Sequence, residues 1–146
     1  MNQTKHFFVA LACLLLPVLC FADGRIIPAD QLPAAATQFI QQHFADKAIA
    51  LVEMDRNRHG IEYEVKLNDG TDIDFDGEGA WTKVDCQYQA VPEAIVPAAI
   101  VTYVKANYPD QPIVQIDKER YGYKVEFLSD LELLFDNKFN FIGLDD

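Results

Sequence analysis

The sequence predicts an α+β fold: two tandem units, each a helix followed by four antiparallel strands, forming one extended sheet with both helices on one face. Internal repetition is the first observation. An offset of 64 places Pro33-Ala34-Ala35 on Pro97-Ala98-Ala99, Phe39-Ile40 on Tyr103-Val104, Phe44 on Tyr108 and Val52 on Ile116. After a four-residue shortening at Asn57-Arg58-His59-Gly60 the offset becomes 60, and Tyr63, Val65, Phe75, Asp76, Trp81 and Val84 fall on Tyr123, Val125, Phe135, Asp136, Phe141 and Leu144. The second observation is that the apolar spacing in each copy changes once, from helical to alternating. The third is size: a unit of about sixty residues without a disulfide or metal is marginal alone, so the two copies must share a core and hide each other's sheet edges.

The elements follow in chain order. Residues 1–22 have a short basic head, the apolar run Phe7 to Phe21 and small Ala22, the pattern of a secretory signal peptide cleaved after Ala22. Cleavage leaves 124 residues with a net charge of −12, and no second stretch of membrane-spanning length follows. Export places the protein in the periplasm or outside the cell. Cys13 and Cys20 leave with the signal, so the lone Cys86 forms no internal disulfide.

The first repeat is assigned to residues 23–86. Asp30 serves as N-cap and Pro33 as a first-turn residue of a helix of some fifteen residues, whose apolar stripe is Leu32, Ala36, Phe39, Ile40 and His43. Ile49 to Asp55 supplies a strand. Ile61, Tyr63, Val65 and Leu67 alternate with Glu62, Glu64 and Lys66, Asn68-Asp69-Gly70 turns the chain, and Ile73 and Phe75 alternate with Asp72, Asp74 and Asp76. Gly77-Glu78-Gly79 turns it again into the strand Ala80 to Asp85. Residues 87–93 form a linker, and 94–146 the second repeat, its helix carried by Val96, Ile100, Tyr103, Val104 and Asn107 and stopped by Pro109. The solvent face of the joint sheet then carries Glu62, Glu64, Asp72 and Asp74 from one copy and Lys124, Glu126, Glu132 and Leu134 from the other.

The P-x-x-x-x-F-I helix start with one extra residue (Pro33 to Ile40), the Y-x-V strands (Tyr63-Glu64-Val65 and Tyr123-Lys124-Val125), the D-G turn and the segment Ile73 to Trp81 resemble the PepSY-like repeats of β-lactamase-inhibitor-like exported proteins. The resemblance spans residues 30 to 146. It implies an exported, non-catalytic binding protein, an inhibitor of an envelope or extracellular enzyme being one form, that meets its partner through the open sheet face and a hairpin such as Asn68-Asp69-Gly70.

The chemistry of the residues points the same way without fixing a partner. With 12 Lys and Arg against 23 Asp and Glu, a net charge of −11 repels phosphate, so nucleic acid and anionic membranes are poor partners. A basic protein or peptide is the complementary class. Glu62, Glu64, Asp72, Asp74, Glu126 and Glu132 on the acidic face and Asp69 at the hairpin are the candidate contacts. Ser129 is the only serine and has no G-x-S-x-G elbow, only His43 and His59 survive cleavage, and no H-E-x-x-H, C-x-x-C or phosphate loop occurs. No catalytic residues, cofactor or metal are therefore assigned. Two alternatives stay open: a hydrolase using paired carboxylates or Cys86, and a calcium-binding exported domain using Asp72, Asp74 and Asp76, the D-x-D-x-D-G half of a calcium loop whose twelfth position is Lys83 in place of Glu.

Overall fold

A computed structural model describes residues 24–145; the signal-peptide assignment falls on residues outside this range. Among the described residues, nine strands form one antiparallel sheet in which every strand pairs with its neighbour in sequence. The order is β1 (Arg25–Ile26), helix α1 (Ala34–His43), β2 (Ile49–Asn57), β3 (Gly60–Leu67), β4 (Asp72–Asp76), β5 (Trp81–Asp85), helix α2 (Ala98–Asn107), β6 (Ile113–Glu119), β7 (Gly122–Phe127), β8 (Glu132–Asp136) and β9 (Phe141–Asp145). Strand β1 is an addition to the eight strands expected. Two residues are too few to show a period, and they are recruited by the edge of β2, where Arg25 faces Met54 and Ile26 faces Glu53.

Both helices are shorter than expected. Asp30 is not an N-cap: it lies in a single 3-10 turn, and α1 begins only after Pro33, whose backbone is extended. The reason is local, since Leu32 precedes a proline and is thereby held out of the helical region, yet it still reaches the core. The second copy repeats this with a 3-10 turn at Glu93–Ile95 and Pro97 before α2.

The register shows how the core is laid down. Val52, Val65, Ile73, Val84, Ile116, Val125, Leu133 and Leu144 are successive cross-strand partners from β2 to β9, a single apolar row across both copies. The helices cover the face that carries this row. Ala36 and Ile40 of α1 and Ile100 and Val104 of α2 are buried, and one core cluster contains residues of both copies. Phe39 meets Phe75 edge to face at 5.7 Å and Trp81 at 6.3 Å, while Tyr103 meets Phe135 at 5.4 Å and Phe141 at 4.8 Å. Backbone irregularities recur at the same offsets. Bulges fall at Ala50 and, 64 residues on, Val114, and at Thr82 and, 60 residues on, Ile142. The left-handed positions Gly70 and Gly79 recur as Asp130 and Phe139.

Candidate functional site

Period-two alternation sends every second side chain of each strand away from the helices, and the register decides which of them meet. One row on this open face reads Glu53, Glu64, Asp74, Lys83, Asp117, Lys124, Leu134, Gly143 from β2 to β9. Its middle neutralises itself, because Asp117 sits between Lys83 and Lys124 and accepts a hydrogen bond from Gln115 Nε2 at 2.7 Å. Its first-repeat end does not: Glu53, Glu64 and Asp74 stand side by side, and the one cation next to them, Lys83, is shared between Asp74 and Asp117. The next row adds Asp55, Glu62 and Asp76, again three in succession. Like charges directly opposite one another on a sheet are destabilising, so this arrangement works against the fold that holds it.

The two acidic rows enclose a concavity of about 320 Å³ lined by Asp55, Glu62, Glu64, Asp74, Asp76 and Thr82. Thr82 is the bulge residue of β5, which opens the ladder at this point. Asp74 lies deepest in electrostatic terms: burial pushes its carboxyl up to about 6, with Glu64, Asp72 and Asp117 adding to the rise and Lys83 opposing it. The equivalent positions of the second copy abolish the cluster, since Glu62, Glu64, Asp74 and Thr82 become Gly122, Lys124, Leu134 and Ile142. At Gly122 the chain permits nothing larger, because a Cβ there would collide with the Phe135 carbonyl oxygen.

The residues singled out from sequence divide among several places. Glu62, Glu64 and Asp74 meet in the concavity. Asp72 lies in the adjoining row, with its Oδ1 3.1 Å from Lys66 Nζ as an ion pair. Glu126 and Glu132 share that row on β7 and β8, where Lys124 holds Glu132 at 3.1 Å and burial, then Glu132, raise the Glu126 carboxyl. Asp69 is apart from the open face, at the β3–β4 turn, where it accepts the Thr71 N–H at 3.0 Å and lies 3.5 Å from Lys47. Burial works against its charge, but Thr71 and Lys47 outweigh this and hold its carboxyl low. Asp55, Asp117 and Thr82 were not marked in the sequence; only the cross-strand register reveals them.

Asp72, Asp74 and Asp76 are strung along β4 and do not converge on a point, and Asp76 Oδ1 is already held by the N–H groups of Glu78 at 3.0 Å and Ala80 at 2.9 Å. Among the described residues no three His, Cys, Asp or Glu side chains are arranged to hold a metal ion. The candidates for nucleophilic chemistry lie in different elements. His43 ends α1 with its ring 4.7 Å from Phe39, His59 sits in the β2–β3 turn, and Cys86 is buried after β5, where burial pushes its thiol up to about 11.

Taken together, the fold and this surface define a single-sheet scaffold with helices on one side and an open, largely acidic face on the other. The chain belongs to the family described as "Putative beta-lactamase-inhibitor-like, PepSY-like", whose model matches residues 22–63 and 61–143. This is the family whose repeats the motifs resemble. Solved structures agree. A protein of Bacteroides thetaiotaomicron described as a "putative calcium-regulated periplasmic protein" is 42% identical, with a TM-score of 0.81 over 85% of this chain and 98% of that one. A "putative periplasmic protein from DUF2874 family" of Bacteroides vulgatus is 39% identical, also at 0.81 over 85% and 98%. A second B. vulgatus "putative periplasmic protein of unknown function" is 33% identical, at 0.82 over 84% and 99%. A search of curated proteins finds no match. No helix among the described residues is long and apolar enough to cross a membrane.

Proposed function

We propose that this protein is an exported, non-catalytic binding module, built from two fused copies of a helix and four-strand unit, whose first copy presents the acidic concavity to a cationic segment of a protein or peptide. The observation that carries this reading is the pair of carboxylate rows Glu53-Glu64-Asp74 and Asp55-Glu62-Asp76, whose acids are flanked in register by a single cation, Lys83 beside Asp74, which Asp117 shares. A Lys- or Arg-bearing partner relieves the repulsion that the fold itself bears, and charge complementarity sets its encounter rate and salt dependence. The signal-like leader and the periplasmic relatives support action in the cell envelope or outside it. Inhibition of an envelope or extracellular enzyme is one form such binding takes.

The test is capture of partners from an envelope extract at low and high salt, with the chain and with a triple variant Glu62→Gln, Glu64→Gln, Asp74→Asn. Partners retained at low salt and lost both at high salt and with the variant support the proposal. Equal retention by the variant overturns it, and turnover of a carbohydrate or peptide abolished by Cys86→Ala would move the protein to the hydrolase class.

A second reading rests on the "calcium-regulated" description of the 42% identical relative: calcium occupies the same concavity. Calcium wants about six to eight oxygens around one point, whereas the acids here lie in rows. Under the binding-module reading, millimolar calcium shifts the melting temperature by no more than about two degrees. A rise of many degrees that Asp74→Asn removes would establish the calcium reading instead.

A further inference from the structure

The two edges of the sheet are finished differently. On β2, strand β1 occupies the place that β5 occupies on β6: Ile26 faces Glu53 as Lys83 faces Asp117, the residue 64 positions on. The chain thus caps its own first edge. At the other side β9 repeats β5 at an offset of 60, yet no strand among the described residues covers it. It is also little defended. Proline and lysine are absent from Phe141–Asp145, Ile142 is 62% and Leu144 51% exposed, and only the bulge at Ile142 and the acidic end disturb the edge.

The internal β5–β6 junction shows what this edge accepts. Cys86 N–H donates to the Val114 carbonyl at 2.9 Å, so alternate residues of β5, Val84 among them, turn their backbone groups toward β6. Leu144 is the counterpart of Val84 and turns its own outward. Across the junction Gln115, Ile116 and Asp117 face Asp85, Val84 and Lys83; on β9 the same three places are Asp145, Leu144 and Gly143. Asp145 ends the row Glu126-Glu132-Asp145, so its partner is a cation. Leu144 ends the apolar row and takes an aliphatic residue. Above Gly143 a Cβ would meet nothing within 4 Å, and Leu134 is next in that row, which leaves room for an aromatic ring.

We infer that β9 is a docking edge for an extended segment of another polypeptide, which adds antiparallel to it as a tenth strand and carries a cationic, an aliphatic and an aromatic residue in succession. This site is independent of the acidic concavity of the first copy, which lies at the far side of the seam. The probe is a peptide copying residues 111–119 with Gln115→Lys and Asp117→Phe, titrated into the isotopically labelled chain and followed by amide NMR shifts. Shifts confined to residues of β8 and β9 are expected, with affinity about tenfold above that of the unchanged 111–119 peptide. Leu144→Pro, and Leu144→Lys as a variant that keeps the backbone donor, should each weaken binding about tenfold or more, whereas Glu64→Gln with Asp74→Asn should not change it. Absence of shifts up to millimolar peptide, shifts that map to α2 or the first copy, or undiminished binding by folded Leu144→Pro and Leu144→Lys chains overturns the inference. So does a stable dimer in sedimentation whose β9 amides are protected, because a second copy would then hold the edge.

Discussion

Asp74→Asn removes the carboxylate whose ionisation the sheet opposes, and its effect on stability can be worked from the structure. Burial together with Glu64, Asp72 and Asp117 lifts the carboxyl from 3.8 to about 6 in the folded chain. At about 1.4 kcal/mol per unit this is about 3 kcal/mol at most, and because part of the carboxylate keeps its water, about 1–2 kcal/mol is the expected size. The sign follows from proton binding. Between pH 4 and 6 the folded chain holds more proton than the unfolded one at this site, so its contribution to stability falls as pH rises through that window and stays low above it. Asn carries no such penalty. Urea unfolding followed by Trp81 fluorescence should therefore show the variant matching the parent near pH 4 and exceeding it by about 1–2 kcal/mol near pH 7.5. Carboxyl-carbon NMR should place the parent's titration near pH 6. A variant no more stable at pH 7.5 than at pH 4, relative to the parent, would refute the electrostatic account of the concavity.

Other substitutions test the scaffold and are read by denaturant unfolding. Gly79→Ala places a Cβ 2.8 Å from Pro33 Cβ and 2.9 Å from Ala36 N at a φ of +87°, and should cost more than about 1 kcal/mol. Gly122→Ala, facing the Phe135 carbonyl, should cost more still, about 3 kcal/mol or above, and leave little folded chain. Asp130→Gly should stabilise by a few tenths to about 1 kcal/mol, because Asp130 holds a φ of +64° that glycine adopts without strain. Cys86, buried with its thiol raised to about 11, should react with a thiol reagent at pH 8 far more slowly than after denaturation; equal rates would place it at the surface.

The helices, the alternation of β3, β4, β7 and β8, and the two-copy plan are legible in the chain because they rest on local periodicity and turn chemistry. Strand β1 is not, since Arg25–Ile26 has no pattern and exists only through its pairing with β2. Asp30 misleads because Leu32, held extended by the proline after it, ends the turn that Asp30 lies in and makes the helix start again beyond Pro33. For the site, the faces of Glu62, Glu64 and Asp74 follow from alternation, but their company does not. That Asp117 lies between Lys83 and Lys124, neutralising the seam and drawing on the one cation beside Asp74, depends on the β5–β6 register, which is set across residues 87–93 and the second helix. Phe139, in the left-handed region where the first copy has Gly79, is likewise invisible until its ring is seen 5.2 Å from Tyr123.

The sequence-neighbour pairing of all nine strands bears on how such a chain can be made. Among the described strands the longest waits are those of β1 for β2 and of β5 for β6, each across one helix, so each strand can add to the one before it as the polypeptide emerges from a ribosome or a translocation channel. Growth is then a zipper run in the direction of synthesis, and the edge that is still to be covered at any moment is the most recent strand.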